Sequence, residues 1–115
     1  MEIIDLKIPS NAKYFSSIRL FLSGLLTNLD LDIEKIEDLK IALSECLNIA
    51  LKLKCQEEID VKFCIYEDKF EIQIGKICKK DINEDEDLSL SLTIIDCLVD
   101  KSNLEDEKLS IIAEL

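Results

Sequence analysis

The sequence predicts a two-layer α+β domain, a mixed but mostly antiparallel sheet with three helices on one face. Apolar residues alternate in a first strand and again through a central hairpin, the period of a half-buried sheet. In three other stretches they recur every three or four residues, the period of a helix packed on one side. The resulting order is β-α-α-β-β-α-β-β, with no internal repeat and no flexible linker, so residues 1–115 read as one domain.

The first strand is "EIIDLKI", with Ile4, Leu6 and Ile8 on one face and Pro9 ending it. Ser10 or Asn11 can cap a helix running to about Asn28, whose core positions are Tyr14, Ile18, Phe21, Leu22, Leu25 and Leu29. Asp30 and Asp32 break and restart the chain. A second helix spans about Ile33 to Lys52 and buries Ile36, Leu39, Leu43, Leu47 and Ala50. Ile59, Val61, Phe63 and Ile65 alternate, Glu67-Asp68 turn, and Phe70, Ile72 and Ile74 alternate again. The acidic stretch "KKDINEDED" is a loop, "LSLSLTIIDCLVD" a third helix on Leu88, Leu92, Ile95 and Val99, and "SNLEDEKLSIIAEL" a second hairpin.

Charge and composition narrow the function. Twenty-five acidic residues against 14 basic ones give a net charge of −11, a field that repels nucleic acid and anionic membrane surfaces and favours a protein partner. No apolar run approaches the roughly 20 residues of a membrane span, and the N-terminus lacks a signal-peptide layout, so the expected location is cytoplasmic. The five cysteines, Cys46, Cys55, Cys64, Cys78 and Cys97, contain no C-x-x-C pair, and the chain has no histidine. They read as reduced and metal-free. The lack of histidine also removes Ser-His and Cys-His nucleophile pairs.

The stretches "SIRLFLSG" and "IEDLKIALSE", in this order of elements, resemble the anti-sigma factor serine-protein kinases of the GHKL superfamily, over essentially the whole chain. The resemblance implies the histidine kinase-like ATPase fold. It also implies a second-helix glutamate that positions the attacking group, matched by Glu45, and an asparagine four residues on that holds magnesium, matched by Ile49. The family's adenine-receiving D-x-G falls on Lys76 and Cys78, and the G-x-G that opens the third helix beneath the phosphates falls on Ser89 and Ser91. A Gly-Thr pair entering the last strand has no counterpart near Glu107 to Leu109. Of the nucleotide motifs only Glu45 survives, and it too has a plain reading, a solvated glutamate opposite the buried stripe.

Asn48 is a poor substitute for the missing asparagine. At about 100° per residue, Ile49 and Asn48 flank Glu45 on opposite sides of the helix, some 100° apart, and magnesium demands near-octahedral oxygen geometry. The phosphate loop fails independently. Neither of the two glycines, Gly24 and Gly75, lies there, and Asp81, Glu84, Asp85, Glu86 and Asp87 outnumber Lys79 and Lys80. The expected cofactor is therefore none, with Mg-ATP reserved for an active kinase.

Arg19 is the chain's one arginine. On a helical wheel it flanks the apolar arc beside Phe15, Leu22 and Leu26, while Leu20 projects to the opposite side. By itself it reads as a surface arginine packing its stem over leucines. The resemblance implies that Arg19 contacts a sigma factor or an anti-anti-sigma protein, and that the chain forms a homodimer; Phe15 and Leu20 are the further expected partner-binding residues. The expected function is anti-sigma-like regulation by protein binding without nucleotide. Its alternatives are an ATP-dependent serine-protein kinase acting on an anti-anti-sigma partner, and an interaction scaffold in another pathway.

Overall fold

Strand β1 (Glu2–Pro9) pairs with β2 (Glu58–Ile65), β2 with β3 (Lys69–Gly75), β3 with β5 (Lys108–Glu114), and β5 with β4 (Lys101–Glu105), which forms the far edge. Every pairing is antiparallel. The computed structural model describes residues 1–53, 56–77 and 86–115, and its helices are α1 (Phe15–Leu26), α2 (Ile33–Leu53) and α3 (Glu86–Leu98). The expected two-layer α+β architecture and element order are both found, and the sheet, expected to be mixed but mostly antiparallel, is antiparallel in all four pairings described.

Register follows from side-chain alternation. Leu6, Val61, Ile74, Leu109 and Leu104 form one row across the sheet and join the core beneath the helices. The next row, Asp5, Lys62, Gln73, Ser110 and Asn103, faces away from it. A one-residue slip of any strand would exchange these sets and drive charge into the core, so the apolar pattern sets the pairing. The β4–β5 turn places Asp106 and Glu107 at φ 52° and 61°, the two left-handed residues of a tight hairpin turn.

The first helix departs from expectation at its start. Asn11 caps a 3-10 turn over Ala12–Tyr14, its side chain accepting from the Lys13 N–H, and α1 begins only at Phe15. The helical phase is therefore set after Tyr14. Phe15, Ile18, Leu22 and Leu26 are buried, whereas Tyr14 and Phe21, expected in the core, are exposed on one side. Phe21 still lays its ring 5.5 Å from that of Phe63. At the start of α2, Asp32 Oδ1 accepts from the Lys35 N–H at 2.8 Å, a side-chain cap.

Helix α2 is the central helix, packing against α1, α3 and the sheet. Its buried set of Leu39, Ala42, Leu43, Cys46, Leu47, Ile49 and Ala50 is correspondingly wider than one stripe. A helix with neighbours on both flanks has only a narrow solvent strip left. In α3, Leu88 and Ile95 are buried and Leu92 packs against the core beside them. Lys35 and Asp100 tie the far end of α2 to the sheet: Lys35 Nζ lies 3.3 Å from Asp100 Oδ2 and donates to the Glu114 carbonyl, while the Glu114 N–H donates to Asp100.

Candidate functional site

Of the nucleotide positions implied by the resemblance, Glu45, Ile49, Lys76, Ser89 and Ser91 lie among the described residues. Glu45, read from the sequence as a solvated glutamate opposite the buried stripe, is half-buried on α2, which is flanked on both sides. Ile49, one turn on, is 1% exposed and belongs to the core cluster. Asn48 is exposed. The amide thus points away from the side on which Ile49 is buried, as expected from a 100° step around a helix.

On α3 the two serines lie inside the helix rather than opening it. Ser89 is exposed and its carbonyl accepts from Thr93 Oγ1 at 3.0 Å, and Ser91 is half-buried. Ser91 is beyond the first turn from Glu86, where backbone N–H groups are engaged in the helical ladder and cannot be offered to an anion. Lys76 follows β3 and pairs with Glu107 Oε2 at 3.2 Å, an exposed ion pair. Cys78, Lys79, Lys80, Asp81, Glu84 and Asp85 lie outside the described residues.

A concavity of about 540 Å³ lies on the open face of the sheet, lined by Asp5, Lys7, Asp60, Lys62, Gly75 and Lys76 among others. Glu45, Ile49, Ser89 and Ser91 take no part in it. Its charges are paired in place, Lys7 with Asp60 and Lys62 with Asp5. It is a surface of alternating charge on the opposite side of the sheet from α2.

The cysteines give no metal site among the described residues, where no cluster of three metal-ligating side chains occurs. Cys46, Cys64 and Cys97 are free; Cys55 and Cys78 lie outside the described residues. Burial pushes the Cys46 thiol far up, and the neighbouring Glu45 carboxylate adds to the shift. A thiol so placed is inert.

Arg19 is the best-held functional candidate. It is half-buried at the seam of α1 and α2, where Nη1 donates to Ser44 Oγ at 3.3 Å and Nη2 to Ser16 Oγ at 3.1 Å. Leu20 beside it is 73% exposed, an apolar side chain without cover. Phe15 is a correction. At 4% exposure it is a core residue under α1, because the helix begins there and turns the ring inward, so it has almost no surface to offer a partner. Ser44 was missed by the sequence reading, since nothing in a single chain pairs position 19 with position 44. Ser16 lies three residues before Arg19, a helical neighbour that spacing alone could have signalled.

A serine-protein kinase RsbW from Listeria monocytogenes is 34% identical over a 131-residue alignment, which covers 95% of this chain and 83% of that protein. This chain belongs to the RsbW family. The RsbW serine-protein kinase of Bacillus pumilus is 45% identical over 81 residues, but there the match spans only 65% of this chain and 50% of the relative. No protein-family model matches. Among solved structures, the RsbU and RsbW domains of a Mycobacterium tuberculosis protein superpose with a TM-score of 0.73 at 12% identity, covering 99% of this chain and 32% of that one. That likeness carries the fold, in agreement with the histidine kinase-like architecture expected from the motifs. Among the described residues no helix is long and apolar enough to cross a membrane.

Proposed function

We propose that this RsbW-family chain is an anti-sigma-like regulator that acts by binding protein, without nucleotide, in the cytoplasm. Its partners are a sigma factor or an anti-anti-sigma protein, and it works as a homodimer. The observation that carries the reading is Ile49. The position matching the family's magnesium asparagine holds a hydrocarbon side chain that is 1% exposed, with no oxygen to give a metal. The interior positions of Ser89 and Ser91 in α3 support it. Isothermal titration with millimolar Mg-ATP tests the reading, and no saturable heat is expected. A micromolar dissociation constant that requires magnesium would overturn it.

The second reading, an active serine-protein kinase, is favoured by the retained Glu45 and by the activity in the relatives' names. Incubation with labelled ATP and an anti-anti-sigma protein from the source genome separates the two. Transfer of label to a serine of that protein would establish the kinase reading.

A further inference from the structure

A guanidinium carries five N–H donors in a planar fork, and its usefulness at an interface depends on how much freedom it loses on binding. Arg19 has already lost part of that freedom. Nη2 is held by Ser16, one turn earlier on the same helix, and Nη1 by Ser44 of the neighbouring helix. The Ser44 hydroxyl proton is itself committed, because Ser44 Oγ donates to the Lys40 carbonyl at 3.0 Å. Its oxygen is therefore left as an acceptor facing the arginine. Proton direction is consistent along the whole chain of bonds, from guanidinium to hydroxyl to helix carbonyl. The Arg19 carbonyl is engaged too, accepting from Ser23 Oγ at 3.0 Å.

Among the described residues no carboxylate pairs with Arg19, although the chain has 25 acidic residues. Two neutral hydroxyls hold the group while leaving its charge uncompensated, and the remaining N–H donors suit one carboxylate bound through two parallel bonds. Leu20, the next residue of α1, is 73% exposed. We propose that Ser44, with Ser16, is a positioning residue that sets the Arg19 guanidinium for an aspartate or glutamate of the protein partner. The proposal rests on the reading that Arg19 meets that partner.

Two measurements keep the proposal and that reading apart. Because the chain has a single arginine, its guanidinium ¹⁵N–¹H signals need no assignment. In the wild type, slow rotation with resolved Nη signals is expected in the free protein, and Ser44→Ala should collapse them. The second measurement is affinity for the purified sigma factor and anti-anti-sigma protein of the source genome. Ser44→Ala should weaken binding three- to tenfold and Ser44→Thr, which keeps the hydroxyl, should retain it. In an Arg19→Ala background Ser44→Ala should cause no further loss. Unchanged Nη signals in Ser44→Ala would overturn the clasp, whatever the partner. Collapsed signals with unchanged affinity, or an equal loss in the Arg19→Ala background, would overturn positioning. If Arg19→Ala itself binds as tightly as wild type, the partner reading falls and positioning falls with it.

Discussion

Ile49→Asn places an amide at the position that the resemblance matches to the family's magnesium asparagine, and its cost measures whether a site exists there. Ile49 is 1% exposed within the core cluster. Removing a buried isoleucine side chain forfeits about 1.5–3 kcal/mol of burial. Leaving an amide in its place without partners adds roughly 1–3 kcal/mol. The expected loss is about 3–5 kcal/mol, a large share of the ~5–15 kcal/mol by which a domain is stable. Urea unfolding followed by circular dichroism reads it directly. With a slope of about 2 kcal/mol per molar urea, the midpoint should fall by roughly 2 M. Asn48→Ile, at the exposed neighbouring position, should stay within about 0.5 kcal/mol of wild type. If position 49 instead opened onto a metal-accessible cleft, the new amide would be solvated and cost under about 1 kcal/mol. A loss that small, or a magnesium-dependent stabilisation of the variant by ATP, would refute the reasoning.

Asp100 is held below the usual carboxylate range, chiefly by the Glu114 N–H and then by Lys35, with partial desolvation opposing. A depressed native pKa gives stability that is present above the ordinary aspartate value of about 3.9 and lost as pH falls through the lower native value. Asp100→Asn should cost up to about 1 kcal/mol at pH 7, since the group is largely solvent-screened, and should lessen the acid-induced loss in a pH series of thermal melts. Thiol titration of native protein should find exposed Cys97 fast and buried Cys46 reactive only on unfolding; early modification of Cys46 in native protein would contradict the packing of α2. Gly24 lies inside α1, and a methyl group added there would meet nothing within 4 Å outside its own helix turn. Gly24→Ala should therefore raise stability by about 0.5–1 kcal/mol, and a lowered melting temperature would show an unseen close contact.

The order of elements was legible because each strand and helix carries its own period. Ile4, Leu6 and Ile8 alternate, and Leu39, Leu43 and Leu47 repeat at helical spacing, whatever surrounds them. That positions 49, 89 and 91 carry isoleucine and two serines was legible too, since an absent oxygen or an added Cβ is a local chemical fact. The tertiary structure decided what depends on neighbours. It left Tyr14 outside, because a 3-10 turn after Asn11 takes that residue out of the helix whose phase buries Phe15, Ile18 and Leu22. It buried Ala42, Cys46 and Ile49 beside the expected stripe, because α2 has a helix on either flank. It also brought Ser44 to Arg19 across 25 residues of sequence. A hydrogen bond between two helices depends on their packing and rotation, and those are properties of the assembled core rather than of either segment.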